Sequence, residues 1–279
     1  VPPRKKPSQW GGLAKKLCEY LKMLFPRIIP VLLVHKKGLV KTVKFKDPKY
    51  VGDPLNAVRI FNEKEVDELT VLDIDATAQG REPDYKMIEN LATECRMPLC
   101  YGGGIKTVEQ ANHILNLGVE KVALSSAALD QPELIRAIAK QVGRQSVVIV
   151  LDVKKKFLGG KYECYTHNGK NSQKVCPFEF AQTAEKLGAG ELIINSIDND
   201  GCMQGYDLAL IKKTRSLVSI PITVLGGAGT HAHIKELLNQ EKIIGAAAGS
   251  LFVFKGKYKA VLINYPTKTE KSEILKVIY

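Results

Sequence analysis

Two stretches of this chain share one layout, and that repeat limits the folds open to it. Gly102-Gly103-Gly104-Ile105 is followed, 23 residues after Gly102, by Ser125-Ser126. Gly226-Gly227-Ala228-Gly229-Thr230 is followed, 23 residues after Gly226, by Gly249-Ser250. Each stretch reads as an apolar strand, a glycine turn, a helix and a second strand ending in small residues. Glycine lets backbone N–H groups approach a ligand closely, and a helix N-terminus favours anions. Two such cradles, at Gly103, Gly104, Ser125 and Ser126 and at Gly227, Gly229, Gly249 and Ser250, point to a small molecule with a phosphate at each end.

Strands and helices alternate through the rest. Strands are expected at 28–34, 68–74, 97–101, 121–124, 147–151, 191–195, 222–225 and 243–247. Several are short continuous apolar runs, as in strands buried on both faces. Helices are expected between them, including 54–64, 84–95, 107–117, 131–142, 177–187, 208–216 and 231–239. Eight strands in this rhythm predict a (β/α)₈ TIM barrel of two similar half-barrels over residues 23–279, with a doubly wound sheet as the alternative. Residues 1–22 hold six Lys/Arg against one Glu. They lack the apolar core and cleavage site of a signal peptide and are expected to be a disordered extension or a remnant of cloning.

No run approaches 18 apolar residues, so no membrane span is expected. The formal charge of +12 suits anionic small molecules. No nucleic-acid motif accompanies it, so nucleic acid is not the expected partner. Six scattered cysteines form no CxxC pair, and His231 and His233 do not share a helix face. We therefore expect no metal and no cofactor, with reduced thiols in the cytoplasm.

The repeat extends to the strands themselves. Glu68–Asp75 aligns with Glu191–Asp198, and Ile28–Val34 with Val147–Val153, which sets Leu33 where the other half has Asp152. Barrel chemistry sits at the C-terminal ends of strands. One half thus offers an acid there and the other a hydrocarbon. Asp73 and Asp75, ending the second strand, and Asp198 and Asp200, ending the sixth, either orient a substrate or form Asx-type turns. The basic stretch 36–45 reads as a flexible lid with Lys41 as its reaching charge. At the opposite ends of the strands stand Arg27, Glu68, Lys121 and Glu191. Two cations and two anions converging there can close a ring of salt bridges, as structure or as a gate.

The pieces Arg27-Ile-Ile-Pro30, Gly52-Asp-Pro54, Asp67-Glu-Leu69, Gly102-Gly-Gly-Ile105, Leu151-Asp152, Tyr165-Thr-His167, Ser196-Ile-Asp198, Asp200-Gly201, Gly205-Tyr-Asp207 and Gly226-Gly-Ala-Gly-Thr230 resemble the HisF family, cyclase subunits of imidazole glycerol phosphate synthase. The resemblance runs from Met23 to about Gly256. It implies a (β/α)₈ barrel, a bisphosphorylated substrate, and a HisH-like glutaminase docked on the N-terminal face. It also implies ammonia passing through the barrel, with the four-residue ring as its gate. The family's cyclase uses two aspartates, at the ends of strands one and five. Asp152 matches the second, and Leu33 stands at the first. A positioned acid or base contributes roughly 10²–10⁴-fold, so the resemblance leaves efficient ring closure in question. Cys202 also replaces the threonine usual after the Asp-Gly pair. The runs Ile29–Val34 and Gly38–Phe45 resemble a branch encoded with surface-polysaccharide genes. That branch is associated with sugar amidation alongside a glutaminase and an ATP-dependent ligase. Three functions follow as expectations: ammonia delivery for sugar amidation, true cyclisation in histidine synthesis, or a non-catalytic phosphate-binding scaffold that activates the glutaminase.

Overall fold

Runs of Val, Ile and Leu at regular intervals form strands, because branched side chains suit a pleated surface buried on both faces. The computed structural model describes residues 26–156, 159–241 and 244–276. The segment 1–22 and Ile243 lie outside the described residues. Eight parallel strands close on one another in the order β1 (Arg27–His35), β4 (Leu69–Asp73), β5 (Leu99–Gly102), β6 (Lys121–Leu124), β7 (Val147–Lys155), β10 (Glu191–Ser196), β11 (Ile222–Leu225) and β12 (Gly245–Ala248). The closing pair, Arg27 opposite Gly245 through Pro30 opposite Ala248, rules out an open doubly wound sheet.

Alternation along each strand separates two cores. Ile28, Leu32 and Val34 face the helices, while Ile29 and Val31 face inward against Cys100, Ala123, Val148, Val150, Ile193, Leu225 and Ala247. Leu33 and Leu72 pack on the upper rim of this inner core. The helices stand where the amphipathic pattern expects them. Asp53, Asp84, Thr107, Asp207 and Thr230 cap five of them by accepting a backbone N–H from the first turn.

The structure corrects one element. The stretch 36–45 is not a flexible lid but the first arm of a hairpin, β2 (Gly38–Val43) and β3 (Lys46–Gly52), running antiparallel off β1. Leu39, Val40, Lys41 and Thr42 are buried. The hairpin is pinned from β10's loop. Lys44 N–H donates to the Asp200 carbonyl at 2.9 Å, and Thr42 Oγ1 donates to Asp200 Oδ2 at 3.0 Å. Gly201, at φ +68°, permits this contact, since an added Cβ would sit 2.1 Å from the Thr42 carbonyl oxygen. The other half repeats the device with β8 (Tyr162–Thr166) and β9 (Asn171–Ser172). Short helices Ser126–Asp130 and Ser250–Val253 follow β6 and β12. A helix at Lys268–Leu275 lies below the barrel. Tyr265 Oη donates to the Ile28 carbonyl at 2.8 Å, and Lys271 pairs with Asp67.

Candidate functional site

Inward positions at the C-terminal ends of the strands surround a cavity of about 480 Å³. Asp152 and Leu33 both line it, on β7 and β1, so the aligned pair does share one mouth. The asymmetry is wider than that pair. Leu33 lies in register with Leu72, and Asp152 with Asn195. Leu72 and Asn195 are themselves equivalent in the repeat, so one half presents two hydrocarbons where the other presents a carboxyl and an amide. Asn195 Nδ2 donates to Asp152 Oδ1 at 2.9 Å. Burial pushes the Asp152 carboxyl up to about 7, with the Asn195 bond opposing and the Asp200 charge adding. Such a group holds and releases a proton near neutrality. Asn195 Oδ1 is buried with no partner in the described structure and stands beside it.

Lys41 is not a reaching charge on a loop. Its side chain is buried under the hairpin, and Nζ donates to the Val31 carbonyl at 2.5 Å. An added Cβ on Gly249 would lie 2.6 Å from that Nζ, so the amine sits against the β12 turn. Burial lowers the Lys41 amine to about 8, and Asp200 partly offsets this. An incoming anion would favour its charged form.

Of the two glycine cradles, Gly103, Ser125, Ser126, Gly249 and Ser250 line the cavity. Ser125 Oγ is buried without a partner, as a hydroxyl kept for a ligand would be. Gly103, at φ +126°, lets the chain pass 2.5 Å (measured from an added Cβ) from the Asp73 carbonyl oxygen. Gly104, Gly227 and Gly229 stand back from this cavity. Gly104 N–H donates to Thr77 Oγ1 at 3.2 Å and Gly229 N–H to His233 Nδ1 at 3.2 Å. Gly227 packs against the Gly205 carbonyl.

Among the remaining acids, Asp73, Asp75 and Asp200 line the cavity. Asp73 Oδ1 accepts the Asp75 and Ala76 N–H groups at 2.9 and 3.1 Å, closing an Asx-type turn. Burial still leaves its carboxyl above the ordinary range. Asp200 is raised for the same reason. Asp198 is turned to β7, where its Oδ2 accepts Lys155 N–H at 2.9 Å.

At the far end of the bore the four expected charges meet. Arg27 pairs with Glu68 and, at 2.7 Å, with Glu191. Lys121 Nζ lies 2.8 Å from Glu68 Oε2 and 2.9 Å from Glu191 Oε2. Thr223 Oγ1 donates to Glu191 Oε1 at 2.5 Å. Burial pushes the Glu191 carboxyl up, but Arg27 and Lys121 outweigh it and hold it well below the usual range.

Sequence reasoning missed Asn195, Thr223 and His35. Asn195 was discoverable, since the repeat aligns it with Leu72. Thr223 becomes visible only when β11 is placed beside Glu191. No helix of the described residues is long and apolar enough to cross a membrane. None of their His, Cys, Asp and Glu side chains group as a metal site.

Comparison with known proteins agrees with this geometry. The model of the family described as histidine biosynthesis protein matches residues 27–259. A Vibrio vulnificus (strain YJ016) protein, provisionally named imidazole glycerol phosphate synthase subunit hisF3, is 62% identical over 92% of this chain and 98% of its own. A Pseudomonas aeruginosa protein, provisionally named subunit hisF2, is 53% identical over 88% of this chain and 97% of its own. Imidazole glycerol phosphate synthase subunit HisF of Thermococcus gammatolerans is 39% identical over 85% of this chain and 92% of its own.

Proposed function

The chain belongs to the histidine biosynthesis protein family as a HisF member, and from that premise we propose that it is an ammonia-using barrel that works with a glutaminase. In this reading the glutaminase docks at the ring end. Ammonia passes Arg27, Glu68, Lys121 and Glu191 and reacts at the mouth with a phosphorylated molecule held near Gly103, Ser125, Ser126, Gly249, Ser250 and Lys41. The acceptor is a sugar of surface-polysaccharide synthesis, amidated with the help of an ATP-dependent ligase. One observation carries this choice: the mouth keeps Asp152 with Asn195 on one half and has Leu33 with Leu72 on the other. A ring closure that needs a carboxyl from each half is poorly served by two leucines.

The test is direct. The purified chain is mixed with a HisH-like glutaminase and with glutamine. Complex formation and a rise in glutamine hydrolysis are expected, and the reading is lost if neither occurs. The names of the relatives favour a second reading, imidazole glycerol phosphate synthase proper. Growth of a histidine auxotroph lacking its own HisF, on expression of this chain, would establish it.

A further inference from the structure

Strand β1 carries an imidazole at the mouth, two residues beyond Leu33 and on the same inward face. We propose that His35, held by Asp75, supplies the proton-transfer group on the side of the mouth where Leu33 supplies none. Both residues line the cavity that Asp152 lines. His35 Nδ1 lies 2.7 Å from Asp75 Oδ1, and Lys36 N–H donates to Asp75 Oδ2 at 2.8 Å. Asp75 is buried, yet the Lys36 and His35 bonds, with Arg81 nearby, outweigh burial and keep its carboxyl below the ordinary range. An ionised Asp75 accepts at both oxygens. In the neutral ring this places the His35 proton on Nδ1 and leaves the lone pair on Nε2, which has no partner among the described residues.

The internal repeat separates the structural part of this arrangement from the rest. Asp198 is the counterpart of Asp75, and Lys155 of Lys36. Lys155 N–H donates to Asp198 Oδ2 at 2.9 Å, the same strand-end tie. At the counterpart of His35 the other half has Lys154, which is exposed and lies over the Tyr165 ring. The tie therefore stands without an imidazole, and His35 is an addition in the one half that lacks its acid.

This inference rests on the reading that ammonia reacts at the mouth. When the ammonia lone pair bonds to an electrophilic carbon, the π pair of that carbon's double bond moves to its heteroatom. The new nitrogen must then lose one proton and the heteroatom must gain one. His35 Nε2 takes the first, and Asp152, on the opposite side, gives the second.

Asp75→Asn is the informative variant. Lys36 N–H keeps the amide oxygen, so the amide NH₂ faces His35 Nδ1 and drives the proton to Nε2, the wrong nitrogen for a base. The assay uses ammonium chloride in place of the glutaminase, with the substrate of imidazole glycerol phosphate synthase as probe. Where wild type turns over this probe, a roughly 10²–10⁴-fold fall in kcat is expected for His35→Gln, a comparable fall for Asp75→Asn, and little change in KM. An active wild type whose rate survives His35→Gln overturns the proposal. If wild type does not turn over the probe, the ring-closing use of the mouth fails, and ¹⁵N spectra of the His35 ring in the full chain decide the inference. An Nδ1–H ring in wild type that becomes Nε2–H in Asp75→Asn upholds the held base. An Nε2–H ring in wild type, or no change in the variant, overturns it.

Discussion

Asp152 and Leu33 hold equivalent places on the two half-barrels, and the difference between them has measurable consequences. Asp152→Asn keeps an oxygen that can accept from Asn195 but cannot exchange a proton. Ammonia-dependent product formation should fall about 10²–10⁴-fold in steady-state assays, and an unchanged rate would mean that Asp152 does no chemistry. Stability should move the other way with pH. The folded-state pKa of about 7 lies above the ordinary 3.8. The stability tied to this proton is therefore fully present below pH 3.8 and lost as pH rises through 7. Denaturant unfolding should find Asp152→Asn more stable than wild type by roughly 1–3 kcal/mol at pH 8 and equal to it near pH 3.5.

At the scale of elements, the eight barrel strands and seven of the helices between them could be read from periodicity, with ends displaced by a few residues, while the short helix Ser126–Asp130 could not. The hairpins could not. Lys36, Lys37 and Lys44 sit at positive φ in tight turns, which lysine seldom adopts, so their sequence resembles a loop. Lys41 was legible as a charge near the mouth but not as a buried one, because its burial depends on the β2–β3 hairpin folding against β1. That hairpin is locked by its fit to Asp200 and Gly201. Gly201→Ala would drive a methyl into the Thr42 carbonyl at a backbone angle alanine resists, a cost of about 1–3 kcal/mol. Hydrogen exchange should show faster amide exchange across Gly38–Gly52, with β4 to β6 unaffected. Uniform exchange in the variant would mean that the pin contributes nothing.

Across the whole molecule, the ionic ring and the mouth are joined by one inner core, so damage at one end can be separated from chemistry at the other. Lys121→Met removes one of two cations shared by two buried carboxylates and should cost about 3–5 kcal/mol at pH 7. Because Glu191 is held below its ordinary 4.5, its contribution is complete above that pH and is lost as pH falls below it. The deficit of Lys121→Met against wild type should therefore shrink in unfolding curves taken near pH 3. The ring was legible because its four residues begin strands that a barrel must bring together, whereas Thr223 acquires meaning only from Glu191 across the sheet. The pairing of Leu33 with Leu72, against Asp152 with Asn195, bears finally on direction. A ligand gripped at both ends by near-equivalent turns could lie across the mouth either way round. An oily wall facing a proton-bearing one removes that ambiguity, so this barrel should accept a two-headed molecule in a single orientation and refuse its reversed pose.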